Sequence, residues 1–213
     1  MGNRAVITTE RRELGVYLHW NGGRDSVEAF LRYCDLRGFR SPDTDEYGWA
    51  RLCQVIANFM GASGLSVGIS RYTTDKAMDP GDNGIFVIRG WEVVDRVYPY
   101  APFEEENEYP LDAMLLEIDA AQPADQQLGY FLRAEEVPVA NIEVGDVVYV
   151  RQVGGTYEAF PVVGVGDGRV VNGVDTAGVP YVNMYSEYMP AEDNANNYLT
   201  TPTVRREPRG QEV

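Results

Sequence analysis

Tyr17-Leu18-His19-Trp20-Asn21-Gly22-Gly23-Arg24-Asp25-Ser26 carries the chain out of a strand, round a turn and into a helix. Asn21, Gly22 and Gly23 tolerate backbone angles that other residues avoid, so they end the strand. Asp25 is expected to cap the helix, with Glu28 three residues on in capping-box position. Val27, Phe30, Leu31 and Cys34 then recur at i, i+3, i+4 and i+7, which predicts one apolar helix face, and Gly38 is expected just past its end.

Upstream, residues 4–9 are rich in β-branched side chains and predict a strand. The polar residues 10–13 predict a turn, and residues 15–20 its antiparallel partner. Downstream, Ser41-Pro42-Asp43 opens a second helical segment. Trp49, Leu52, Cys53, Ile56 and Met60 repeat the helical spacing there, and Gly61 closes it. Residues 65–70 predict a short strand and 71–84 a long polar loop. Residues 85–88 and 91–97, joined by a turn at Arg89-Gly90, predict a hairpin. The order ββααβββ implies an α+β domain, a mostly antiparallel sheet with helices on one face.

After Val97 the composition changes. Tyr98-Pro99-Tyr100-Ala101-Pro102 is stiff and extended, residues 104–108 are acidic, and Leu111, Met114, Leu115 and Ile118 predict a short amphipathic helix. From residue 137 the pattern is short strands separated by glycine-rich turns. Ile142-Glu143-Val144-Gly145-Asp146 leading into Val147 resembles the entry to an SH3-like barrel. The expected organisation is therefore an α+β domain over 1–120, a linker over 121–136, a small SH3-like β-barrel over 137–190 and a flexible tail over 191–213.

The formal net charge is −15, but residues 1–100 carry 12 basic and 13 acidic side chains, so the acid is concentrated beyond them. Residues 101–135 alone have nine acids against Arg133. Such a chain repels phosphate backbones, and direct nucleic-acid binding is not expected. No apolar run is long enough to span a membrane, and the first residues lack the apolar stretch of a signal peptide, so a soluble protein of the host cytoplasm is expected. Cys34 and Cys53, the only cysteines, fall on predicted apolar helix stripes and read as reduced core thiols. Neither a metal site nor a cofactor is expected. Asp79-Pro80-Gly81-Asp82 lacks the spacing of a calcium loop and predicts a tight turn. Gly164-Val165-Gly166-Asp167-Gly168 precedes a strand rather than a helix and predicts a hairpin.

His19 is the only histidine. At a strand end it could act as a general base or ligand, oriented by Asp25 or Asn21, or simply bond a neighbouring carbonyl. His19, Trp20, Asn21, Gly22 and Gly23, with Asp25, therefore form a candidate ligand or catalytic loop. A second candidate, for protein binding, is the tyrosine-rich acidic stretch Tyr98, Tyr100, Glu104, Glu105, Glu106, Glu108 and Tyr109, since tyrosine is enriched among interface anchors.

Gly2-Asn3-Arg4-Ala5-Val6-Ile7 followed by Tyr17-x-His19-Trp20-Asn21-Gly22 resembles a loose group of uncharacterised phage and prophage proteins. Those open with Gly-x-Arg and a hydrophobic strand and carry Tyr-x-His-Trp-Asp-Gly. Asn21 stands in place of the Asp, which removes an acid or metal ligand from that position. The resemblance implies a setting, an accessory protein of a mobile element, and no mechanism. The leading expectation is a non-catalytic protein that binds a host protein, such as a defence or nucleic-acid enzyme, through an acidic, tyrosine-rich surface. The alternatives are a small-molecule binder or hydrolase using the His19–Asp25 loop, and a structural phage component.

Overall fold

The computed structural model describes residues 3–61, 66–98, 111–152, 156–167, 170–171, 174–175, 180–186, 198–199 and 202–209. The chain forms two compact units, Met1–Leu128 and Gly129–Val213. The division falls inside the expected linker, and residues 121–128 belong to the first unit.

The first unit contains β1 (Ala5–Thr9), β2 (Leu14–Leu18), α1 (Arg24–Leu36), α2 (Tyr47–Met60), β3 (Val67–Arg71), α3 (Asp75–Met78), β4 (Ile85–Arg89), β5 (Glu92–Val97) and α4 (Leu111–Ala120). Its sheet order is β3-β2-β1-β4-β5. All neighbours are antiparallel except β1 and β4, which run parallel. The mixed α+β architecture is thus present, with one parallel pair at the sheet's centre.

Every residue of β1 is buried, because both faces of the central strand are covered. Side chains alternate along a strand, so Val6 faces one way and Ala5 and Ile7 the other. The Val6 side packs with Ile85, Tyr72, Tyr17, Met78 and Val97. Tyr72 and Met78 come from the stretch expected to be an open loop. That stretch instead folds a turn of helix, α3, which the Thr74 side chain caps by accepting from the Ala77 amide at 3.2 Å. The helices α1, α2 and α4 pack on one another, with α1 against β5 and α2 against β3. They bury Phe30, Leu31, Leu52, Ile56, Met114 and Ile118, each such side chain contributing roughly 1.5–3 kcal/mol.

Two helix ends differ in how the sequence specifies them. At the C-terminus of α1 the Gly38 amide donates to the Asp35 carbonyl at 2.8 Å and the Phe39 amide to the Cys34 carbonyl at 3.1 Å. Gly38 has φ +67°, so this is a Schellman closure at the expected glycine. The N-terminus departs from expectation. Gly23, in extended conformation, is the N-cap, no side chain caps the end, and the helix has already begun at Arg24. Glu28 is drawn away from a capping box by Arg24, one turn earlier, at 2.6 Å.

Cys34 is buried and Cys53 half-buried, and both are free. Burial pushes the Cys34 thiol up, and raises Cys53 to about 11. Both therefore remain protonated and unreactive at neutral pH. A thiol reagent added to native protein is expected to label Cys53 slowly and Cys34 only on unfolding. Rapid labelling of Cys34 in the native state would contradict this burial.

The second unit is built on β6 (Glu135–Pro138), β7 (Val147–Arg151), β8 (Tyr157–Asp167), β9 (Val170–Val171), β10 (Val174–Asp175), β11 (Pro180–Met184), β12 (Tyr198–Leu199) and β13 (Thr203–Arg206). Six strands form an antiparallel sheet in the order β12-β11-β8-β7-β13-β6, and β9 and β10 pair separately. Val139, Ile142, Val148, Phe160, Val162, Val182, Met184 and Val204 make its core. The C-terminal stretch expected to be a free tail supplies β13, which pairs with both β6 and β7. Tail residues 191–197, 200–201 and 210–213 lie outside the described residues.

Asp146, at the turn before β7, anchors that C-terminal stretch. Its side chain accepts from Arg209 Nε and Nη2, both at 2.9 Å, and from the Glu143 amide at the same distance. These donors, the Arg209 hydrogen bond foremost, hold the carboxyl below the usual aspartate range despite its burial. A depressed carboxyl contributes stability that is complete above the unfolded aspartate pKa and is lost as pH falls through the folded value. Asp146→Asn is therefore expected to weaken the second unit at neutral pH and to flatten its acid unfolding limb. An acid limb identical to that of the wild type in thermal melts would count against the role.

Candidate functional site

The register brings five strand ends to one rim of the first sheet: the start of β1, the end of β2, the starts of β3 and β4 and the end of β5. At about 4.8 Å between strands, the rim from β2 to β5 is roughly 14 Å across. His19 and Trp20 stand at the end of β2, Asn3 and Arg4 before β1, Asp82 and Asn83 before β4, and Tyr98 after β5.

Asn21 has φ +53°, a left-handed turn conformation that Asn and Asp tolerate best among side chains with a Cβ. That conformation explains the residue type by backbone geometry, with no acid required. Gly22 then passes so close to β1 that a Cβ there would lie 2.6 Å from the Ala5 nitrogen and the Asn3 oxygen, both backbone. The Gly22 amide donates to the Asn3 carbonyl at 2.8 Å. The turn is thus pinned to the strand beside it.

His19 is exposed and its backbone amide donates to the Ser66 carbonyl at 2.8 Å. Its Nδ1 lies 2.9 Å from the Tyr17 hydroxyl. The imidazole meets the Trp20 ring edge to face, with centroids 5.0 Å apart, and the Tyr17 ring at 6.1 Å. Tyr17 is therefore the orienting partner that the sequence reading sought in Asp25 or Asn21. Among the described residues no hydrogen bond joins His19 to either. Asp25 lies beside Gly23 on the first turn of α1. Trp20 is 45% exposed, unusual for so large an apolar ring, and Tyr98, at φ +57°, is 46% exposed.

Between these aromatic ends runs a polar lock. Arg4 Nε donates to Asp82 Oδ2 at 2.8 Å, and the Arg4 amide reaches the same oxygen at 3.1 Å. The hydrogen bond raises the guanidinium's pKa and lowers that of the carboxyl. Asn83 donates through its side-chain amide to Asn3 Oδ1 and through its backbone amide to the Arg4 carbonyl at 3.0 Å. Arg96 Nε donates to the Asn83 carbonyl at 2.9 Å, while its guanidinium lies 4.7 Å from the Phe86 ring centroid. The turn at 79–82, expected only to reverse the chain, so supplies Asp82 to a partner 78 positions away.

Tyr100, Glu104, Glu105, Glu106, Glu108 and Tyr109 lie outside the described residues; Tyr98 is the one member of that candidate with a defined position. Among the described residues no group of three or more His, Cys, Asp or Glu is placed to hold a metal ion, and no helix is long and apolar enough to cross a membrane. What the rim offers is a fixed set of exposed rings beside paired charges. Neither a protein-family model nor a curated protein nor a solved structure matches the chain.

Proposed function

We propose that the chain is a non-catalytic accessory protein of a phage or mobile element that binds a host protein through this rim. The observation that carries the reading is the preorganised edge-to-face cluster of Tyr17, His19 and Trp20, with Trp20 exposed at its outer end. Rings already held by neighbours lose little entropy on binding, and Trp and Tyr are the residues that most often dominate interface energies. The acidic segment that begins soon after Tyr98 would steer a basic-surfaced partner toward the rim. The resemblance of the opening residues to phage proteins supports the setting, and that setting implies the host cytoplasm. We infer that the second unit, whose six-stranded antiparallel sheet is entered through the Gly145-Asp146 turn, is of the SH3-like barrel type.

The hydrolase alternative is less well supported, because His19 is engaged by Tyr17 and Trp20 rather than by a carboxylate. Capture from host lysate by wild type and by Trp20→Ala tests the reading. A partner retained in a salt-sensitive manner by wild type and lost from the variant is expected. Equal retention by both would overturn it.

A further inference from the structure

The second unit's sheet carries a groove of about 430 Å³ whose lining includes Glu136, Tyr149, Arg151, Tyr157, Thr203 and Arg205, with Val150 and Val204 between them along their strands. Strand register explains the composition. Arg205 lies across from both Glu136 and Tyr149, and Arg151 from Tyr157, so these side chains share the face opposite Val148 and Val204. Phe131, from the 3-10 turn Gly129–Arg133, is buried on the same face. Its ring lies 4.2 Å from that of Tyr157 and 5.4 Å from that of Tyr149, centroid to centroid.

Arg205 sits over that Phe131 ring at 5.0 Å. Its neighbours behave differently: Arg206 pairs with Glu135 at 3.1 Å and Arg209 with Glu143 and Asp146. Among the described residues Arg205 has no carboxylate within ion-pair distance, although the chain carries a net charge of −15. Glu136, the groove's acid, accepts the Thr203 hydroxyl at 2.9 Å. A guanidinium stacked on a ring is fixed in orientation while its N–H edge stays available, which suits bidentate capture of a carboxylate.

We propose that this groove docks an extended acidic segment of a partner protein, Arg205 taking a carboxylate and the Tyr149 and Tyr157 rings the adjoining apolar or aromatic side chain. The groove volume falls in the range of ordinary ligand sites and accommodates a few residues. A single unpaired guanidinium matches one carboxylate, whereas a nucleic acid would need a row of cations to offset so much negative charge. The groove is built from residues of the second unit and the rim from residues of the first, so the proposal stands or falls independently of the function proposed above.

The test is fluorescence anisotropy of the full chain with a labelled synthetic peptide alternating Glu, Pro and Tyr. Binding should weaken with salt, weaken about tenfold with Arg205→Gln, and survive in part with Arg205→Lys. The same peptide with Gln for Glu should bind about as weakly as the variant does to the original, and Arg71→Gln should leave binding unchanged. Ala159→Glu places a negative charge across from Tyr149 at an exposed position of β8. It should abolish binding, which keeps the test informative if Arg205→Gln fails to fold. No binding of the Glu peptide, equal binding by Arg205→Gln, or an oligothymidine that displaces the peptide would each overturn the proposal.

Discussion

Asp119→Ala is expected to destabilise the first unit by about 3 kcal/mol, because a buried hydroxyl and a half-buried amide lose their shared acceptor. Asp119, on α4, is 6% exposed. Its Oδ1 accepts the Tyr33 hydroxyl of α1 at 2.7 Å and the Leu128 amide at 2.6 Å. Burial, reinforced by this carboxylate, raises the pKa of the Tyr33 hydroxyl, which stays a donor throughout the accessible pH range. The contact therefore ties α1, α4 and the return segment 121–128 at one atom. Next to it, Gln122 donates to the Ile118 carbonyl at 2.9 Å and accepts from the Asn58 side chain at the same distance. Tyr33→Phe should cost about half as much, since the Leu128 amide keeps its acceptor. Asp119→Ala should lower the melting temperature by roughly 10 °C. A change within experimental scatter would show that the carboxylate is dispensable to this packing.

Gly22→Ala is the second large effect expected, at about 3 kcal/mol, in the range for steric insertion against an unyielding neighbour. The added Cβ would meet backbone atoms of Asn3, Arg4 and Ala5, none of which can move without shifting β1. Gly23→Ala is the natural control. Its Cβ would crowd the Asp25 side chain, which can rotate away, and touch the Asn3 side chain at an ordinary 3.7 Å, and its backbone is extended. A melt should show a large loss for the first substitution and a small one for the second. Gly22→Ala should also loosen the Trp20 environment, read as a change in tryptophan emission. Equal melting temperatures for the two variants would mean that the turn is not pinned to β1 as described.

Local pattern made much of the first unit legible. The i, i+3, i+4 spacing of Val27, Phe30, Leu31 and Cys34, with Gly38 after it, marks α1 because both signals act within one helix. The hairpin of β4 and β5 is equally local. What escaped reading is long-range or too short to repeat. The four residues of α3 cannot display a helical period. The strand β13 reads as a polar tail, because the features that make Val204, Arg205 and Arg206 a strand are partners in β6 and β7 more than 50 positions earlier. Asp25 has the chemistry of a cap, yet an arginine already in the helix and an extended glycine before it move the helix start upstream. At the site, the sequence isolates His19 and Trp20 by their rarity and their place after a strand. Spacing within the chain carries no trace of the Arg4–Asp82 lock or of the meeting of Tyr98 with the same rim.

The claim that this rim binds a protein is tested most directly by comparing affinities, once a partner has been captured, between wild type and Trp20→Ala. Trp20 projects from a turn that is held by the Gly22 amide on the Asn3 carbonyl and by the left-handed Asn21, so the variant is expected to melt close to the wild type. Loss of a central aromatic anchor predicts affinity reduced by about 30-fold or more. Unchanged affinity in a normally folded Trp20→Ala variant would contradict the account.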